Sequence, residues 1–202
     1  MSAATDNLGV RLIVGLGNPG EQYEGTRHNV GFWLVEALAE RFREPLRAEP
    51  KHFGRLGRIG VGAADVRLLE PMTYMNRSGQ SVAAVARYFS IPPECILVAH
   101  DELDLPVGQV RIKQGGGHAG HNGLRDTIAA LGSRDFWRLR IGIAHPGDRT
   151  LVTGYVLGRP SKADAKLIHD ALDAVDRELD DLVAGRFQAV MNRLHRPSVR
   201  AD

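Results

Sequence analysis

Short apolar runs alternate with helical stripes along most of this chain. Leu12-Ile13-Val14 is a β-branched run that stops at glycine, the pattern of a strand buried on both faces. Phe32, Leu34, Val35, Leu38, Ala39 and Phe42 then recur at helical spacing, with Thr26 or Asn29 as candidate caps and Pro45 as a stop. Residues 53–61 and 65–70 alternate as two strands joined by a hairpin at Gly62-Ala63-Ala64-Asp65. Residues 71–79 are irregular, and Val82, Val85, Ala86 and Phe89 mark a helix over 81–89. Ile96-Leu97-Val98-Ala99 is a second buried run that leads straight into His100-Asp101-Glu102. Residues 107–114 alternate again, with Arg111 and Lys113 on one face and Val110 and Ile112 on the other. A glycine-rich loop over 115–123 precedes a helix over 124–131 and a strand over 139–144. An acidic helix or helix pair over 162–182 and a short helix over 188–194 complete the chain.

Strands that alternate with helices, without an internal repeat, predict a single α/β domain. The hairpin at 53–70 makes the expected sheet mixed, mostly parallel and twisted, with helices flanking it. The domain is expected over 10–196, between disordered tails at 1–9 and 197–202.

Composition narrows the class. The 202 residues suit one large domain or two small ones, and the 43% hydrophobic content is that of a soluble globular protein with a substantial core. Cys95 is the only cysteine, so no internal disulfide can form, and its apolar neighbours mark it as a buried small hydrophobe. No apolar run approaches the roughly 18 residues of a membrane span, and the first residues lack a secretory pattern. The expectation is a cytoplasmic protein with no membrane partner. The net charge of +2 hides an asymmetry. Arg111, Lys113, Arg125, Arg134, Arg138 and Arg140 face only Asp126 and Asp135 over 105–147, whereas acids dominate 161–185. Such a basic field attracts phosphate, although two solvated faces give the same pattern.

Two glycine clusters invite functional readings. Gly15-Leu16-Gly17-Asn18-Pro19-Gly20 matches the spacing of a dinucleotide fingerprint, but that motif needs backbone N–H groups at a helix start and Pro19 has none. The turn instead presents Asn18. Gly115-Gly116-Gly117-His118-Ala119-Gly120-His121-Asn122-Gly123 lacks the lysine and hydroxyl ending of a phosphate-binding loop. Its two histidines are a weak metal signal without a third ligand at suitable spacing. Asn18, Asn76 and Asn122 each lie at a strand end or helix start, and His28 and Asp101 are available as an imidazole–carboxylate pair. No serine elbow or poised cysteine accompanies them. One histidine, an orienting carboxylate and several amides suit activation of water against an ester carbonyl, with amides donating to the developing oxyanion.

These residues resemble the bacterial peptidyl-tRNA hydrolase family. The matching segments are Val14–Gly20 with Tyr23, Thr26-Arg27-His28-Asn29-Val30-Gly31, Pro71–Gly79, His100-Asp101-Glu102-Leu103-Asp104, Gly115–Gly123, Arg138–Ile143 and His145-Pro146-Gly147. The likeness spans about residues 10–195. It implies hydrolysis of the ester between a peptide and the 3′ ribose of tRNA, which recycles peptidyl-tRNA dropped by ribosomes. By that resemblance His28 is the general base and Asp101 orients it. Asn18 and Asn76 hold substrate and water, Asn122 does so from the loop, and Tyr23 and Met75 line the peptide and ribose side. Lys113 and Arg140 hold the terminal phosphate of the tRNA, in a patch that Arg111, Arg134 and Arg138 extend. The resemblance implies no metal, no cofactor and a monomer. A non-catalytic RNA-binding module and a dinucleotide-dependent oxidoreductase are the competing readings.

Overall fold

The computed structural model describes residues 8–195. The expected tails lie outside this span, apart from Leu8 and Gly9. The strands are β1 (Leu12–Gly15), β2 (Arg47–Glu49), β3 (Gly54–Val61), β4 (Ala64–Pro71), β5 (Ile96–Glu102), β6 (Val110–Gln114) and β7 (Trp137–Gly142). The helices are α1 (Glu21–Glu24), α2 (Val30–Arg41), α3 (Ser78–Tyr88), α4 (Asn122–Leu131), α5 (Val152–Val156), α6 (Lys162–Arg177), α7 (Leu179–Val183) and α8 (Phe187–Leu194).

One sheet carries the fold, in the order β2-β3-β4-β1-β5-β7-β6. β4, β1, β5 and β7 are parallel neighbours, while β3 and β6 run the other way. β2 is antiparallel to β3 and so returns to the common direction. The sheet is therefore mixed and mostly parallel. Every residue of β1 is buried, with Val14 opposite Leu69 on one side and Val98 on the other. That burial explains why the strand reads as a continuous apolar run. Alternate residues point into two cores. Ile13, Leu97, Ala99, Leu139 and Ile141 meet α2, α6, α7 and α8 on one face. Leu12, Val14, Leu69, Ile96 and Val98 meet α3 and α4 on the other. Each fully buried Leu, Ile or Phe adds about 1.5–3 kcal/mol relative to exposure.

The differences from expectation are local. β2 is a three-residue, fully exposed edge strand with no hydrophobic signature. α5 is a single short helix in a stretch without a stripe. The acidic segment is a helix pair that breaks at Glu178. Its carboxylates are largely engaged: Asp176 pairs with Arg41, Glu178 with Arg193, and Asp181 with both Arg186 and Arg193. At the opposite edge, the Ile112 N–H of β6 donates to His195 Nε2 at 2.9 Å, so the end of α8 caps that strand. Among the described residues no helix is long and apolar enough to cross a membrane.

Candidate active site

β1 lies between β4 and β5; α2, which follows β1, and α3, which joins β4 to β5, pack on opposite faces of the sheet, and a crevice opens beyond the strand ends. Two glycines bring the first turn of α2 directly onto that crevice: a methyl group on Gly15 would lie 2.1 Å from the Gly31 carbonyl oxygen. A methyl group on Gly31 would lie 2.5 Å from both the Ala99 carbonyl oxygen and the Leu16 nitrogen. Only glycine permits this approach, and it sets the turn Arg27–Asn29, with His28, over the end of β5.

Asn18 is held from two sides. Asn29, at 0% exposure, accepts the Asn18 N–H through Oδ1 and donates Nδ2 to the Asn18 carbonyl, each at 2.9 Å. The side chain of Asn29 therefore does not cap α2, contrary to one expectation from its position. Thr26, the other candidate cap, donates its hydroxyl to the Tyr23 carbonyl instead. Asn18 Oδ1 accepts the Met75 N–H at 2.7 Å. A backbone donor fixes which end of the carboxamide is oxygen, so the Asn18 Nδ2 group is the one left to donate.

His28 Nδ1 lies 2.9 Å from both oxygens of Asp101. Asp101 Oδ1 also receives His121 Nε2 at 2.8 Å. His121 is at the same time the N-cap of α4, where its Nδ1 accepts the Leu124 N–H at 3.3 Å. That bond requires an unprotonated Nδ1 and places the His121 proton on Nε2, facing Asp101. Burial alone would lower the His28 pKa, but the charge and hydrogen bond of Asp101 override it and raise the value above 6.5. Burial would raise the Asp101 pKa, yet His28 and His121 hold it well below the carboxylate range. Behind them, burial and the neighbouring His121 push His100 down to about 3, so its ring stays neutral. Its Nδ1 bonds to the Asp101 carbonyl at 2.8 Å and so fixes the backbone there.

These groups open on one cleft of about 730 Å³. Asn18, His28, Met75, Asn76, Asp101 and Asn122 all line it. Leu103, Val152, Val156 and Leu157 add apolar side chains to its lining. Asn76 lies in the turn Met75–Arg77 and Asn122 begins α4; both are exposed. Gly123 allows α4 to approach, since a methyl there would meet Met75 Sδ at 2.5 Å. Tyr23 is one layer back, packed edge-on against Tyr74, which does line the cleft.

Lys113 and Arg140 lie outside the cleft lining, diagonally placed on β6 and β7, where Lys113 faces Arg138 and Arg111 faces Arg140. Lys113 rests against the glycine loop, and Arg140 Nε reaches Glu102 Oε2 at 3.2 Å. Arg138 does not extend the basic patch. It is 4% exposed, and its guanidinium holds the carbonyls of Gly116, at 2.6 Å, and Gly117. Burial and the nearby Arg134 and Arg140 lower its pKa. Asn29 as a support and His121 as a partner of Asp101 are not legible in the sequence. Both stood beside residues already singled out, but no spacing rule points to contacts made across the fold.

The family model described as peptidyl-tRNA hydrolase matches residues 12–202. A peptidyl-tRNA hydrolase of Tolumonas auensis is 57% identical over 187 residues, covering 92% of this chain and 95% of the relative. One of Chromohalobacter salexigens is 54% identical, with coverages of 92% and 96%. The crystal structure of peptidyl-tRNA hydrolase from Acinetobacter baumannii superposes with a TM-score of 0.90 at 48% identity, over 96% of this chain and 97% of that one. Agreement at this level over nearly the whole length leaves one conclusion: the chain belongs to the peptidyl-tRNA hydrolase family.

Proposed function

We propose that this protein hydrolyses the ester joining a peptide to the tRNA 3′ ribose, with His28 as the general base. The observation that carries this reading is the contact of His28 Nδ1 with both Asp101 oxygens at 2.9 Å in the cleft that Asn18 lines. An Nδ1–H bound to the carboxylate leaves the Nε2 lone pair free to take a proton from water. The water oxygen then bonds to the acyl carbon. Asn18 Nδ2 donates to the oxyanion that develops, because its oxygen is already committed to Met75. Asp101 stabilises the imidazolium until Nε2 returns the proton to the departing ribose oxygen. Asn76 and Asn122 position water and ester from either side.

The apolar side chains of the cleft, Met75 among them, accept the peptide. Lys113 and Arg140 border the cleft through the glycine loop and Glu102. Cations diagonal on neighbouring strands suit the terminal phosphate of the tRNA acceptor end. The chain acts as a cytoplasmic monomer without a cofactor. The test is cleavage of peptidyl-tRNA by the parent and by His28→Ala. Turnover falls by about two to four orders of magnitude in the variant, while tRNA affinity is retained. A variant as active as the parent removes His28 as the base, and a parent that binds without cleaving makes the chain a binding module.

A further inference from the structure

The same geometry points to a second chemistry. We infer that His28, Asp101 and His121 form a binding site for a divalent cation of the zinc class. His28 Nδ1, an Asp101 carboxylate oxygen and His121 Nε2 lie within 4.8 Å of one another. Each imidazole nitrogen is already 2.8–2.9 Å from Asp101. Zinc binds imidazole and carboxylate at about 2.0–2.2 Å in tetrahedral geometry, which separates neighbouring donor atoms by roughly 3.3 Å. Each His–Asp pair therefore opens by about half an ångström to admit the ion, while the two imidazole nitrogens, within 4.8 Å of each other, settle to the same separation. The carboxylate is 97% buried and the two rings nearly so, and all three residues line the cleft. Two imidazoles and one carboxylate favour zinc-class ions over magnesium or calcium, which prefer oxygen donors.

Proton positions give such an ion a consequence. Both rings now direct an N–H at Asp101. An ion that takes those two lone pairs obliges each neutral ring to carry its proton on the other nitrogen. On His121 the proton moves to Nδ1, where it opposes the Leu124 N–H and ends the cap of α4. On His28 it moves to Nε2. If Nε2 is the base, as proposed above, the ion converts an acceptor into a donor and arrests hydrolysis. Only this arrest rests on the catalytic reading; the binding does not.

The test is calorimetric titration of the full chain, freed of metal with EDTA, with zinc chloride. Asp101→Asn and His121→Asn serve as variants; asparagine is itself a favoured N-cap and keeps the start of α4. The parent takes up one ion, each variant binds about tenfold or more weakly, and magnesium chloride gives no saturable heat. Peptidyl-tRNA hydrolysis by the parent falls in step with occupancy and returns with EDTA. Absence of saturable zinc binding overturns the site. Equal affinity in parent and both variants also overturns it, and transfers the ion to other histidines of the cleft such as His118 or His145. Zinc that binds the parent, is lost in both variants and leaves hydrolysis untouched upholds the site and refutes His28 Nε2 as the base.

Discussion

Replacing Asn29 with alanine removes a two-bond clasp on Asn18, which lines the cleft. The carboxamide satisfies both main-chain polar groups of Asn18, each at 2.9 Å, and no part of Asn29 reaches solvent. Alanine leaves a donor and an acceptor buried without partners. Each orphaned group costs about 1–3 kcal/mol, so Asn29→Ala lowers stability by about 2–6 kcal/mol. Against a typical domain stability of about 5–15 kcal/mol, that is a severe loss for one side chain that touches no substrate. Urea unfolding measures it as a lower midpoint at unchanged slope. The turn that aims Asn18 Nδ2 also loosens, so kcat falls more than KM rises at a temperature where the variant remains folded. A stability loss under about 0.5 kcal/mol, the range of ordinary surface substitutions, with kcat intact would refute the clasp.

Three other outcomes are expected. With His28 as the proposed base, the acid limb of kcat/KM, which reports the free enzyme, has its midpoint above 6.5 because Asp101 raises the His28 pKa; on that proposal the unprotonated ring is the active form, so activity falls as pH drops through that midpoint. In Asp101→Asn, burial acts without the opposing charge and the midpoint moves below 6.5; a midpoint at or above that of the parent contradicts the assignment. Lys113→Ala and Arg140→Ala each weaken tRNA binding and reduce the slope of log affinity against log salt by about 0.7–0.9, and unchanged affinity at low salt in both removes them from the phosphate site. Arg138→Gln releases the Gly116 and Gly117 carbonyls, so proteolysis within 115–121 accelerates while the salt slope of tRNA binding stays as in the parent.

How far the chain could be read followed from what each element buries. β1 and β5 are enclosed on both faces, so their runs were plain. The 54–71 hairpin announced itself by alternation and a short turn. β2 was invisible because Arg47-Ala48-Glu49 is wholly exposed; such a strand exists only because β3 offers it an edge. The order of strands depends on long-range pairing that no local pattern encodes. In the site, Asn18, His28 and Asp101 stood out because each follows or precedes a buried run at a strand end or helix start. Arg138 was misplaced for the opposite reason. Alternation along β7 sets it on the face of Arg140, and charge alone cannot distinguish a guanidinium in solvent from one turned inward to hold carbonyl groups.

The histidine at the end of α8 has a bearing on how this molecule lives among copies of itself. A bare outer strand offers its main chain as a template on which another polypeptide can lay down a further strand. Here His195 stoppers that template at Ile112, and it can do so only while its ring nitrogen carries no proton. Burial, with Arg111 and Arg140 close by, lowers the His195 pKa and keeps the stopper in place at neutral pH. Its loss, by truncation or by acid, would uncork the sheet, and light scattering would register self-association before the catalytic groups had moved.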